Sequence, residues 1–287
     1  MPSAASIQLS LDGSPSAVAV AALASGAPVV IGVNPTEYHG PHLSLKNDAL
    51  CAAGLAARFA ARMGWPLVDA GDLDVGAEPA PGPGSVATSF EEVRSRVKSA
   101  VQAAHALGAQ RVILSTFHGA PLHNAALDDA MASSPIPVLA PFHAVLEAAL
   151  LASTASRRDF HGGRFETSIA LALAPHSVSK DLASIPDCPS FQAAPALALA
   201  SRVALRLGKA RLAAELDFAA AGTGWMALKP CPGYTGQPRL ATAAEGERHL
   251  AIILTLYEAL ARRVFDRGGA HPRAPLAWAR YARVAGL

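Results

Sequence analysis

Short runs of consecutive apolar residues alternate along the chain with longer stretches in which apolar residues recur every three or four positions. The clearest runs are residues 27–33 (APVVIGV), 111–115 (RVILS) and 137–140 (PVLA). Each is too short for a helix and apolar on both alternating sets of positions, as expected of strands buried on two faces. Between them, Ser89 and Glu92 have capping-box spacing ahead of Phe90, Val93, Val97, Val101 and Ala104, and Gly108 supplies a stop. Thr242 and Glu245 repeat the device before a stripe of Leu250, Ile253, Leu254, Tyr257, Leu260 and Val264. The alternation predicts an α/β fold, a mostly parallel sheet flanked by helices in one domain spanning residues 1–287. Residues 76–85 (GAEPAPGPGS) are too rich in Pro and Gly for a regular element and read as an active-site loop or a surface excursion. Residues 180–195 are similarly irregular, and residues 268–287 read as an extended C-terminal arm. No internal repeat is present.

Composition narrows the classes. With 51% hydrophobic and 16% charged residues, the chain can bury a large core. A net charge of +2, with Lys and Arg scattered, offers no stripe for nucleic acid. No apolar segment is long enough to span a membrane and no secretory leader pattern opens the sequence, so a cytoplasmic protein is expected. Cys51, Cys188 and Cys231 are far apart and form no CxxC pair, which argues against a disulfide framework or thiolate zinc site. Neither GxGxxG, GxxxxGK[ST] nor GxSxG follows any strand, which removes the dinucleotide, P-loop and serine-hydrolase classes.

Chemistry concentrates after the strands, where ligands of open α/β sheets gather. Residues 34–48 (NPTEYHGPHLSLKND) carry Glu37, His39, His42 and Asp48. In extended chain Glu37 and His39 project to one side, giving a carboxylate and an imidazole aimed at one point. Asp48 begins a helical pattern, from which it either caps the helix or reaches back to bridge two ions. Residues 115–124 (STFHGAPLHN) place His118 just past the second strand, and residues 159–168 (DFHGGRFETS) hold His161, Arg164 and Glu166. His42 reads as a supporting contact, and His105, His143, His176, His249 and His271 as ordinary helix or surface histidines.

EYHGPHLSLKND resembles the signature of the creatininase family, HGGRFETS resembles a second family segment, and GYTGQPRLATAAEG (residues 233–246) a third. The resemblance implies a three-layer α/β/α metallohydrolase and a hexameric homo-oligomer. It also implies two metal ions, one held by Glu37, Asp48 and His118, the other by His39, Asp48 and Glu166, with Asp48 bridging. The mixture of carboxylate and imidazole without thiolate suits zinc, manganese or iron. Three carboxylates and a bridging hydroxide balance four positive charges, whereas without metal at least one carboxylate should keep a proton. The expected activity is attack of metal-bound hydroxide on the amide carbon, breaking the C–N bond of a small cyclic amide, formamide or short peptide. His161 is the candidate proton donor to the leaving nitrogen. Many relatives carry NGHGGN where this chain reads TFHGAP; Asn124 is a candidate replacement amide, and a non-catalytic metal-binding or assembly subunit is the alternative reading. Arg164, where many relatives carry glutamate, is either the anchor for a substrate carboxylate or one half of a salt bridge to Asp159 or Glu147.

Overall fold

The computed structural model describes residues 8–10, 16–152 and 158–280. Among the described residues there are five strands: β1 (Gln8–Ser10), β2 (Val29–Gly32), β3 (Leu67–Asp72), β4 (Val112–Ser115) and β5 (Val138–Leu139). They form one sheet in the order β1-β3-β2-β4-β5, with every pairing parallel. The three strands expected from apolar runs are all there, slightly shorter than the runs. β1 and β3 were not anticipated.

The helices are α1 (Ser16–Ala24), α2 (Asn47–Met63), α3 (Phe90–Ala106), α4 (Pro121–Ala132), α5 (Phe142–Leu151), α6 (Arg164–Leu173), α7 (Pro195–Arg206), α8 (Ala210–Met226) and α9 (Ala243–Ala261). Alternate strand residues divide between two cores. Val29, Ile31, Val68, Val112, Leu114 and Val138 pack with α1, α3 and α4. Val30, Leu67, Ile113 and Leu139 pack with α2, α5, α6 and α9 on the opposite face. The result is the expected three-layer α/β/α arrangement. Among the described residues no helix is long and apolar enough to cross a membrane.

The N-cap bond of both capping boxes forms, although the Thr242 amide donates to Ser168 Oγ and not back to Glu245. Ser89 Oγ accepts from the Glu92 amide and Thr242 Oγ1 from the Glu245 amide, each at 3.2 Å. Replacing such a cap by alanine costs about 1 kcal/mol. The faces they orient are buried as the periodicity predicts, through Val93, Val97, Val101 and Ala104 in α3 and Leu250, Ile253, Tyr257 and Leu260 in α9.

The C-terminal expectation is corrected within the described part. Residues 269–280 are largely irregular, but they fold back instead of extending. Ala274 donates to Asp128 Oδ2 at 2.8 Å, Trp278 Nε1 donates to Glu215 Oε2 at 2.7 Å, and Ala274 and Leu276 are buried. Residues 281–287 lie outside the described residues.

The topology fixes where chemistry can sit. From β2 the chain passes through α2 to β3 on one side, then through α3 to β4 on the other, so β2 and β4 flank a switch point in strand order. At that point the loops leaving two adjacent parallel strands diverge around an open crevice.

Candidate metal centre

Asn34, directly after β2, closes the floor of this crevice. Its Nδ2 donates to Asp72 Oδ2 at 2.6 Å and to the Ser115 carbonyl at 3.2 Å, while its Oδ1 accepts from the Phe117 amide at 3.0 Å. One side chain thus joins the carboxyl ends of β3, β2 and β4. Beyond it, Glu37, His39, Asp48 and His118 converge, each 4% exposed or less.

Asp48 lies in the first turn of α2, behind an N-cap position, Lys46, that supplies no side-chain cap. Its own carboxylate caps nothing either, for both oxygens are buried without a hydrogen-bond partner. Oδ1 lies 3.1 Å from His39 Nε2 and Oδ2 3.5 Å from His118 Nδ1, so the two oxygens face different imidazoles. Glu37 Oε2, also unpartnered, lies 2.7 Å from His118 Nδ1 and 3.8 Å from His39 Nε2. Its other oxygen accepts from the Ala80 amide. Glu166, in the first turn of α6, completes the group with Oε2 3.7 Å from His39 Nε2.

The far side of each ring is fixed by main chain. His39 Nδ1 lies 3.1 Å from the Glu37 carbonyl, and His118 Nε2 lies 2.9 Å from that of Ala77. A carbonyl only accepts, so these nitrogens carry the hydrogen, and in the neutral rings the remaining lone pairs face the carboxylates. This is the tautomer-fixing contact that metal-ligating histidines make. Lone pairs facing carboxylate oxygens repel unless a cation lies between them. Burial alone would lower the pKa of His39, but Asp48, Glu37 and Glu166 override it and hold the ring up at about 10. His118 is raised in the same way by Glu37 and Asp48. Asp48 is held down by the two imidazoles despite its burial. Glu166 goes the other way, pushed up to about 8 by burial and by Asp48 and Glu37, in keeping with the expectation that one carboxylate keeps a proton when no metal is bound.

His161 is brought to the same cluster. Its ring stacks on His39 with centroids 4.2 Å apart, Nε2 lies 3.1 Å from the Tyr38 carbonyl, and Nδ1 lies 3.9 Å from Glu37 Oε1. Burial and the neighbouring His39 lower its pKa to about 4. Glu37, His39 and His161 offer ligand atoms within 4.8 Å of one another, as do Glu37, Asp48 and His118.

The supporting residues are only partly those expected. His42 stands behind the group, its Nε2 2.9 Å from the Gly162 carbonyl, and the Gly162 amide in turn donates to Glu166 Oε2 at 2.6 Å. Gly162 needs to be glycine: its φ is +55°, and a Cβ would meet the His39 and Gly233 carbonyl oxygens at 3.0 Å. Asn124 braces the altered loop, with Nδ2 donating to the His118 and Ala120 carbonyls at 2.9 Å each. Residues 76–85 lie against this cluster, where the Ala80 amide and Ala77 carbonyl hold Glu37 and His118. Main-chain groups leave no residue-type trace, so only the Pro/Gly content of that stretch pointed to it.

Two expectations change. Arg164 does pair with an acid, but its Nε donates to Glu245 Oε2 at 2.7 Å, not to Asp159 or Glu147, and the side chain is 45% exposed. Arg211 pairs with Glu147 instead. His143 and His271 are not isolated: with Asp128 they form a second cluster of potential ligand atoms.

The sequence pattern of the family described as "Creatininase: Creatinine amidohydrolase" matches residues 15–262. The chain belongs to the creatininase family. No curated protein sequence matches it significantly. Among solved structures, "Creatininase Mn" has a TM-score of 0.60 at 18% identity, over 90% of this chain and 99% of that one. A creatininase point mutant of "Zn-Zn type" gives 0.60 at 19% identity, over 89% and 98%. A creatininase mutant "complexed with creatine" gives 0.58 at 18% identity, over 89% and 98%. At such identities the likeness establishes the shared fold. Family membership and the buried carboxylate–imidazole groups support a metal-dependent amidohydrolase for this creatininase-family chain.

Proposed function

We propose that this protein uses two divalent metal ions to hydrolyse the C–N bond of a small cyclic amide, formamide or short peptide. The reading is carried by Asp48, a buried carboxylate whose two oxygens face the ring nitrogens of His39 and His118 separately and take no bond from main chain or any other side chain. A bridging ligand needs that disposition. Glu37, Asp48 and His118 would hold one ion; His39, Asp48 and Glu166 would hold the other. The unpartnered oxygens of Glu37 and Asp48 and the lone pairs of the two fixed imidazoles fit zinc or manganese, the metals named for the similar solved structures. Divalent ions held there would polarise an amide carbonyl and acidify water.

The protein's own groups then move the protons. His161 is neutral at pH 7, with its hydrogen on Nε2 and a lone pair at Nδ1 on the cluster side. Nδ1 can take a proton released as the water oxygen bonds to the carbonyl carbon, and deliver it to the nitrogen as the C–N bond breaks. Glu37 Oε1, 3.9 Å away, favours the charged ring. His161 Nδ1 is also a rival to Glu166 for the second ion.

The deciding experiment is elemental analysis of wild type and Asp48→Ala, combined with incubation of metal-loaded protein with cyclic amides, formamides and short peptides and product identification by mass. About two ions per chain at this centre, both lost in the variant, and cleavage of one substrate class support the reading. Wild-type occupancy in the variant removes the bridge, and occupancy without any cleavage favours a non-catalytic metal-binding subunit. We also infer a homo-oligomer, a hexamer by family resemblance. A monomer in light scattering at micromolar concentration defeats that inference.

A further inference from the structure

Asp128 on α4, His143 at the start of α5 and His271 in the returning C-terminal segment bring one potential ligand atom each to within 4.8 Å of the others. His143 is fully buried, and neither ring nitrogen has a hydrogen-bond partner. Such a ring has given up its hydration at both nitrogens, and only weak contacts with Asp128 and the Pro272 carbonyl replace it. Its Nδ1 lies 3.5 Å from Asp128 Oδ1, and its ring meets that of His271 edge-on with centroids 5.3 Å apart. The other Asp128 oxygen is held by the Ala274 amide at 2.8 Å, which leaves Oδ1 on the side of the histidines.

His271 has main-chain neighbours at both nitrogens. Nδ1 lies 2.7 Å from the Pro272 carbonyl, while Nε2 lies 3.1 Å from the Ala140 amide nitrogen and 3.2 Å from the Ala140 carbonyl. With Nδ1 protonated, the ring accepts from the Ala140 amide. If the ring changes tautomer through solvent, losing a proton from Nδ1 to water and taking one from water at Nε2, Nδ1 is free for a cation and the Ala140 carbonyl accepts the Nε2 hydrogen. That second state has the same carbonyl support that His39 and His118 receive from Glu37 and Ala77. Arg273 and Arg280 are close enough to act on Asp128, and they oppose a cation; Arg280 is engaged by Asp129 and Arg273 is exposed to solvent.

We propose that Asp128, His143 and His271 form a second, structural zinc site that fastens the C-terminal segment to α4 and α5. One carboxylate and two imidazoles supply three of four tetrahedral positions and leave one for water. His271 lies far in sequence from Asp128 and His143, so the site exists only where the segment around His271 has returned to the body. Ala274 and Leu276 are already buried there, and the ion would add to the bonds by which Ala274, Leu276, Trp278 and Arg280 hold Asp128, Glu215 and Asp129.

The test compares full-length wild type with His271→Gln, a change at a half-buried position. Both proteins are stripped with chelator, reloaded with zinc, desalted and analysed for bound metal, and cleavage by trypsin beside Arg273 is timed. The variant should hold one zinc per chain fewer than wild type. With free zinc then held about tenfold above its Kd, cleavage beside Arg273 should slow about tenfold in wild type and not in the variant. Equal zinc content in the two proteins overturns the site. Asp48→Ala separates it from the principal centre: that variant should retain one zinc, and Asp48→Ala/His271→Gln none. Asp48→Ala retaining no zinc overturns the proposal as well, while leaving the bridging role of Asp48 intact.

Discussion

His39 and His143 are both buried imidazoles that follow a strand at the same edge of the sheet, yet they hold protons in opposite ways. His39 is raised to about 10 because Asp48, Glu37 and Glu166 surround it. His143 is lowered to about 3, by burial first and by His271 second, with the Pro272 carbonyl in partial opposition. Desolvation is common to both. The sign is set by the balance of carboxylates and imidazoles within reach, three acids around His39 against one beside His143. A group with surplus acids demands cations, whereas a group with surplus imidazoles stays neutral and can accept one.

The sharpest way to break this contrast is Asp48→Ala, which removes the acid facing both His39 and His118. It should abolish metal binding at the principal centre and reduce kcat/KM beyond the roughly 10- to 100-fold that loss of a supporting contact costs. Retained activity in the fully desalted variant sinks the dinuclear reading. His161→Ala comes next. As a proton carrier its loss should lower kcat by about 100- to 10,000-fold with metal content unchanged. Loss of an ion instead would identify His161 as a ligand in place of Glu166.

The surplus of acid also predicts a pH dependence of the metal-free protein. Glu166 rises from 4.5 to about 8 and His39 from 6.5 to about 10, so both bind protons more tightly in the folded chain. Their contribution is fully present below the unfolded values and is lost as pH climbs through 8 and 10. Tm of the stripped protein should therefore fall between pH 7 and pH 10, and metal should flatten the profile. A stripped protein whose Tm rises across that range contradicts the assignment of raised values.

Smaller effects follow at one remove. His42→Ala frees the Gly162 carbonyl and loosens the amide that holds Glu166, and should weaken metal binding on the order of tenfold. Arg164→Met removes an exposed ion pair with Glu245, which amounts to about 0.2–1 kcal/mol. It should shift Tm slightly and leave the preference between a carboxylate substrate and its neutral amide unchanged. A loss of that preference would restore Arg164 as a substrate anchor.

How far the sequence could be read follows from how local each feature is. The apolar runs of β2, β4 and β5 and the N-cap bonds of the two capping boxes are determined within a few residues, and they form where expected. β3 was hidden because only Leu67 and Val68 are fully buried, while Asp69 and Ala70 are half-buried, Gly71 and Asp72 are exposed, and the sequence DAGD looks like a loop. Glu37, His39 and His118 sit just after β2 and β4, and Asp48 and Glu166 open α2 and α6, all within short motifs that resemble the family's, so their convergence was legible. The partner of Arg164 is 81 positions away and His271 lies 131 positions from Ala140, distances over which no spacing rule operates. The Pro/Gly-rich stretch contributes an amide and a carbonyl, groups that every residue carries.

The Asn34 side chain has a further consequence, in the entropy of metal uptake. By joining the ends of β3, β2 and β4 it fixes the roots of the loops that bear Glu37, His39 and His118 before any ion arrives. Ordering those loops is then a cost of folding and not of binding. Metal should enter a nearly rigid cage, and the Phe117 amide, buried against Asn34 Oδ1, should exchange its hydrogen equally slowly in stripped and loaded protein.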